Sequence, residues 1–208
     1  MNIASTFDIW LLEKESLVKK VRAEMGDHRF AHTLAVAKES LVLATAFGLS
    51  PNDSKRLFVA ALLHDYTKAY STEKQLALAK EYNVVLSEDD LAAPAVLHSR
   101  TAAAVVIHTF PHDTDAEIAE AVRCHTVGKK EMSLFDKLLF LADYIEETRT
   151  HPVCLETRKS FYENLASGNN KEDILNDTLR QVLKNTIDHL AKQGSKLHSD
   201  SLKMLENL

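Results

Sequence analysis

Val59-Ala60-Ala61-Leu62-Leu63-His64-Asp65 is an apolar run that ends abruptly in an adjacent imidazole and carboxylate. Such a run reads as the end of a buried helix that delivers two good ligands into one cavity. Neighbours on a helix diverge by about 100°, so both groups reach a single ion only near the helix end, where side chains and backbone converge. By itself the pair reads equally well as a hydrogen-bonded polar pair closing a helix. The flanking chain decides between the two.

Upstream, Ser50-Pro51 supplies an N-cap hydroxyl and a proline at the first helical position, which opens the helix that runs into His64-Asp65. Before it, Phe7, Trp10, Leu11, Val18, Val21 and Met25 recur at helical spacing and predict one amphipathic helix, ended by Gly26-Asp27. A second is expected from about His28 to Phe47, with His32 in its first turns and Gly48 as its C-terminal cap. Downstream, Thr72 with Gln75 fits a capping box for a short helix through Leu76, Leu78 and Tyr82. A polar stretch from Ser87 to Asp90 separates it from Leu91 to Leu97, which Pro94 interrupts. His98 follows directly, and Ser99 to Phe110 reads as a helix stopped by Pro111. Asp113 or Asp115 caps the next helix, whose Ile118, Ala119 and Val122 carry the chain to His125 before Gly128 closes the segment. Ser133 and Asp136 open a strong helix in Leu134, Leu138, Leu139, Leu141 and Ala142, with Asp143 in otherwise apolar surroundings. After Pro152, helices are expected over about Cys154 to Ala166 and Lys171 to Lys192, then a short terminal one from Leu202 to Leu208.

Composition agrees with an all-α fold. Five Gly and four Pro in 208 residues are too few for an all-β protein built on tight turns. With 45% hydrophobic and 26% charged residues the chain suits one large domain. A formal net charge of -5 with no long basic run argues against DNA or RNA as partner. No apolar stretch approaches the ~20 residues of a membrane span, and the first ten residues lack a signal pattern, so a cytoplasmic protein is expected. Cys124 and Cys154 form no CxxC pair and read as reduced thiols, Cys124 as a small packing residue.

Five separated positions share one feature, an imidazole or carboxylate in or at the end of an apolar helix: His32, His64 with Asp65, His98, His125 and Asp143. Burying one such group without a partner costs several kcal/mol, so the set is most economically explained by convergence on a shared metal. His28, His108, His112, His151 and His189 lack this context.

The order His, His-Asp, His, His, Asp on an all-helical chain resembles the HD-domain metal-dependent phosphohydrolases. Arg29-Phe30-Ala31-His32-Thr33, Leu62-Leu63-His64-Asp65-Tyr66-Thr67-Lys68, His125-Thr126-Val127-Gly128 and Leu141-Ala142-Asp143-Tyr144-Ile145-Glu146 look like the YqeK-type branch. Those enzymes are symmetrical bis(5'-nucleosyl)-tetraphosphatases, which cleave diadenosine tetraphosphate into two ADP. The resemblance, from about Gly26 to about Ser201, implies a single HD domain over 1–208. Its core would span about 26–150, with a metal site in a cleft between helices, and helices of 151–208 would complete the nucleotide pocket. It implies iron held by His32, His64, Asp65 and Asp143, with a second metal admitted. It implies phosphate or nucleotide contacts from Arg29, Lys68, His98, His125, Thr126 and Arg149. The family's C-terminal nucleotide-binding turn corresponds to Lys192-Gln193-Gly194-Ser195-Lys196-Leu197 with His198, and the match loosens there because the family tends to have proline where this chain has Ser199. A homodimer is an admissible assembly.

A mixed imidazole and carboxylate shell suits a borderline divalent ion and leaves positions open for water and a phosphoryl oxygen. Asp65 can bind metal and orient this water, while Arg29, Lys68 and Arg149 would supply local counter-charge in an acidic chain. His98 and His125 have two open roles: ligands of a second metal, or partners of the phosphates that protonate the leaving group. Asp65, Lys68, His98 and His125 are thus the expected catalytic residues. Two alternatives stand beside dinucleoside tetraphosphate hydrolysis with ADP as product. One is another HD phosphohydrolase activity, on nucleoside monophosphates or deoxynucleoside triphosphates; the other is a non-catalytic nucleotide sensor.

Overall fold

The unbroken apolar run is the middle of the molecule. In the computed structural model, which describes residues 2–195 and 197–208, every side chain from Leu57 to Leu63 is buried, on all sides of its helix. A helix covered all round shows a continuous run where a surface helix shows a stripe. That helix is α4 (Pro51–Leu63), preceded by α1 (Ile3–Glu13), α2 (Glu15–Ala23) and α3 (Asp27–Ala46). After it come α5 (Thr72–Glu81), α6 (Glu88–Ala92), a 3-10 turn over Pro94–Val96, α7 (Leu97–Thr109), α8 (Ala116–Cys124) and α9 (Leu134–Ile145). The chain ends with α10 (Pro152–Ala166), α11 (Lys171–Lys192) and α12 (Ser199–Asn207). The fold is all-α, with no strand among the described residues.

α3, α8 and α9 pack against α4; α7 joins α8 and α5, and α10 and α11 cover α9. One apolar cluster runs through the whole arrangement, from Trp10 to Met204. The helix starts carry the expected chemistry. Ser50 accepts from the Asp53 N–H with Pro51 at the first position, Asp115 accepts from Glu117 and Ile118, and Ser133 with Asp136 forms a full capping box.

Some boundaries differ from the sequence expectation. The single first helix is two, broken at Lys14 (φ -105, ψ 22). The Lys14 N–H still reaches the Trp10 carbonyl and the Val18 N–H reaches Lys14, so the apolar spacing continues across the break and hides it. The cap of α5 is Ser71, not Thr72. Gln75 is instead buried, donating to the Thr67 carbonyl and accepting from Thr101, while Thr67 donates to the His98 carbonyl. These bonds tie the segment after Asp65 to the start of α7. The stretch Ser87 to Asp90 forms the capping box of α6, and α12 begins three residues earlier than expected, at Ser199, because His198 caps it.

Asp90 carries a buried network that fastens the C-terminal segment. Its Oδ2 accepts from Ser87, and its Oδ1 accepts from Arg100 Nε at 2.8 Å and faces His198 Nε2 at 3.2 Å. Arg100 also binds Asp200. Burial would raise the Asp90 carboxyl, but the Ser87 N–H and Arg100 outweigh it and bring it down to about 2. A depressed folded value means the stabilisation is complete above the ordinary carboxylate value near 4 and is lost as pH falls through about 2. Asp90→Asn should therefore destabilise the protein by about 3 kcal/mol at neutral pH. Chemical denaturation at pH 7 and pH 2.5 checks this, with the difference between variant and parent shrinking at the lower pH.

Candidate metal centre

Nine of the side chains expected at a site converge at one end of α4. α4 ends at Leu63, so His64 and Asp65 leave it in the following turn, and α3 brings Arg29 and His32 beside them. α7 contributes His98 from its first turn, α8 contributes His125 as its C-cap, and α9 contributes Asp143 from its last turn. Lys68 and Arg149 come from the segments after α4 and α9.

Three of the histidines are oriented in the same way. His64 Nδ1 lies 2.6 Å from the Ala61 carbonyl, His98 Nδ1 2.8 Å from Ala95 and His125 Nδ1 2.7 Å from Val122, each three residues back. A carbonyl only accepts, so each Nδ1 carries the proton and each Nε2 presents a lone pair. His32 is held differently, with Nδ1 3.0 Å from Glu146 Oε1 and Nε2 3.1 Å from Asp143 Oδ1. The Nε2 lone pairs then meet one another and the carboxylates. His98 Nε2 is 3.2 Å from His125 Nε2 and 3.1 Å from Asp65 Oδ1. His64 Nε2 is 3.7 Å from Asp65 and 4.0 Å from Asp143, fully buried and without a hydrogen-bond partner among the described residues.

An acceptor-rich cluster of this kind is unfavourable unless cations or protons occupy it. Three cations border it. Arg29 donates to Asp65 Oδ2 at 2.7 Å, Arg149 to Asp143, and Lys68 Nζ to His98 Nε2 at 3.1 Å. None reaches His64 Nε2. The orphaned, buried lone pair among carboxylates fits a divalent ion, and two overlapping donor triads are close enough to hold one: His32, His64 and Asp143, and His64, Asp65 and His125.

The electrostatics follow from burial and these contacts. Burial pushes His64 down to about 4, and likewise His98 to about 4 against the pull of Asp65, so both imidazoles are neutral and able to ligate. Burial would also lower His32, but its hydrogen bonds to Asp143 and Glu146 prevail and raise it to about 9. Burial opposes ionisation of Asp65 and Asp143 as well, yet the neighbouring histidines, and for Asp143 also Arg149, hold both below the usual carboxylate range. Lys68 is lowered by burial.

Residues 29–148 match the family model for the HD domain. The chain belongs to the HD-domain family. A Bacillus subtilis relative named bis(5'-nucleosyl)-tetraphosphatase, symmetrical, is 31% identical over 91% of this chain and 94% of its own length. A Staphylococcus aureus relative of the same name is 26% identical over 92% of each. Among solved structures, a predicted HD superfamily hydrolase involved in NAD metabolism from Clostridium acetobutylicum superposes with a TM-score of 0.80. It covers 93% of this chain and 95% of its own at 24% identity, which is a likeness of fold.

The remaining expected contacts lie elsewhere. Thr126 donates to Ser99 Oγ, and His198 is buried against Asp90. Lys192, Gln193, Gly194 and Ser195 are exposed at the end of α11, with Gln193 bonded to His189, and Leu197 is half-buried. Lys196 lies outside the described residues. One residue of the HD centre escaped the sequence reading: Glu146, fully buried, which holds His32 Nδ1 and accepts from Thr148. Glu146 is the C-cap of α9, where the backbone turns extended (ψ 158), and the charged stretch around it gave it no separate signal. A carboxylate behind a metal-ligating histidine fixes the ring and raises its basicity. Glu146→Gln should weaken metal binding by about 10- to 100-fold with the fold intact, measured by competition against a chelator.

Proposed function

We propose that this chain is a metal-dependent phosphohydrolase that cleaves diadenosine tetraphosphate symmetrically, one water and one dinucleotide giving two ADP. The observation that carries the reading is the buried cluster of converging imidazoles and carboxylates around the unpartnered His64 Nε2, bordered by Arg29, Lys68 and Arg149. The names of the full-length relatives support this choice of substrate. His32, His64, Asp65 and Asp143 would hold the ion, and the mixed donor set favours iron or a similar borderline metal. When bound, the ion supplies positive charge that polarises a phosphoryl oxygen and acidifies water.

The chain's own groups do the rest. Asp65, held below the usual carboxylate range by its neighbours, anchors and orients. Arg29 and Arg149 neutralise Asp65 and Asp143 and are the most exposed groups of the centre, with 35% and 42% of their side chains accessible, so they face an arriving polyphosphate. Lys68 donates to His98 Nε2, which lies beside His125 Nε2, and this connected row would pass a proton from the Lys68 ammonium to the departing phosphate. The turn Lys192-Gln193-Gly194-Ser195-Lys196-Leu197, His198 and Thr126 would serve the nucleoside. The protein is proposed to act as one domain over 1–208 in the cytoplasm; among the described residues no helix is long and apolar enough to cross a membrane. A substrate panel tests the reading: diadenosine tetraphosphate should be turned over in preference to nucleoside monophosphates and deoxynucleoside triphosphates. Rapid turnover of either of the latter with an inert dinucleotide would reassign the enzyme, and tight binding without turnover under any divalent metal would make it a sensor.

A further inference from the structure

The C-terminal helix is joined to the catalytic end of the molecule by contacts that converge on one turn. His125 to Gly128 follow α8, and the Gly128 N–H closes the turn on the Cys124 carbonyl at 2.8 Å. Gly128 has φ +73, and a Cβ there would collide with Met204 Sδ and lie 3.2 Å from its Cβ and Cγ. Met204 of α12 is itself 1% exposed and therefore rests directly on the turn. Ser201, one helical turn earlier, donates to the Val127 carbonyl at 2.8 Å. Arg100 completes the arrangement. Its guanidinium binds the Arg123 carbonyl at 3.0 Å, Asp200 at the start of α12 at 2.8 Å, and Asp90. Arg100 stands two residues after His98, so one side chain touches the helix that carries His98, the end of the helix that carries His125, and α12.

The free carbonyls at the end of α8 are thereby assigned one by one. Val122 receives His125 Nδ1, Arg123 receives Arg100, Cys124 receives Gly128, and Val127 beyond them receives Ser201. His125 is aimed by the Val122 carbonyl in the last turn of α8, where Arg100 holds the next carbonyl, and α12 holds the turn that follows. A core methionine would serve packing equally well against any surface, but this one meets the turn only where a glycine admits it, beside a hydroxyl from the same helix spent on the next carbonyl.

We infer that α12 is a positioning element for the His98–His125 pair, acting through Met204 on Gly128, Ser201 on the Val127 carbonyl and Arg100 on the Arg123 carbonyl. The inference rests on the proposed activity only for its kinetic readout. Met204→Ala leaves a gap above the turn and lets the imidazole of His125 wander, and a displacement near 1 Å at a catalytic group costs about 10- to 100-fold in rate. The full chain should then lose that factor in kcat on diadenosine tetraphosphate, with KM within about twofold and bound metal retained. In the zinc-loaded full chain, which is diamagnetic, the imidazole nitrogen resonances of His125 should shift or split. Met204→Leu, which restores the volume, should bring both readouts back. Ser201→Ala, which removes one hydroxyl, should give a smaller change of the same kind, and it decides the matter if Met204→Ala does not fold. Unchanged kcat with unchanged His125 resonances would overturn the inference. So would a kcat loss that only tracks the folded fraction by circular dichroism and is not recovered by Met204→Leu. If the parent chain leaves the dinucleotide intact, the activity reading fails separately, and the His125 resonances alone support or overturn the positioning role.

Discussion

His64→Ala and Asp65→Ala should each abolish metal content and lower turnover by about 10³-fold or more, while circular dichroism keeps its helical signal. The size follows from what is removed. A divalent ion contributes several kcal/mol of transition-state charge stabilisation, and each 1.4 kcal/mol is a factor of ten. The centre cannot compensate, because His64 Nε2 belongs to both donor triads and Asp65 is the carboxylate between His64, His98 and His125. The fold can, because α4 buries every side chain from Leu57 to Leu63 before His64 begins. Elemental analysis of protein purified without chelator and a single-turnover assay check both halves. Full activity with stoichiometric metal in either variant would move the centre elsewhere.

His125→Ala should behave differently. The imidazole lies 3.2 Å from His98 Nε2, which Lys68 also reaches, and 3.6 Å from Asp65. As a member of the row that relays a proton from Lys68 to the departing phosphate it should contribute about 10²-fold or more to the rate, with one metal still bound. The same holds for His98→Ala, where Lys68 also loses its acceptor. The triad of His64, Asp65 and His125 provides the contrast. If the His125→Ala protein loses one of two metal equivalents, His125 is a ligand of a second ion and the row from Lys68 to His125 has a different office.

The sequence carried the helices and the centre to unequal degrees. α3, α4, α9 and α11 were legible because their caps and glycine stops are local and their apolar patterns long. The break at Lys14 was not, since the hydrogen bonds across it preserve the helical spacing of Phe7, Trp10 and Val18. Ser71 lost the capping role to Thr72 because Gln75 three residues on looked like a capping partner, whereas tertiary contact with Thr67 and Thr101 claims it. At the centre, His32, His64, Asp65, His98, His125 and Asp143 stood out as polar groups in apolar helices, a pattern that burial alone makes visible. Glu146 sat in a run of charged residues, Glu146-Glu147-Thr148-Arg149, where only the structure separates the buried carboxylate from its exposed neighbour. The function of Met204 and Ser201 could not be seen at all, since it depends on a contact between residues some 70 positions apart.

The most direct test of the account is the fate of the phosphates. If the cations Arg29, Lys68 and Arg149 grip one nucleoside diphosphate half while the metal centre engages its terminal phosphate, water enters at the middle of the four-phosphate bridge. Binding of the far half then serves the reaction, and the tetraphosphate should be preferred to the triphosphate. Hydrolysis of diadenosine tetraphosphate in water enriched in oxygen-18, with iron or another borderline metal, followed by chromatography and mass spectrometry, reads the position of attack. ADP should be the sole nucleotide product, with one labelled oxygen on the β-phosphate of one ADP in every two. AMP and ATP as the main products would contradict it.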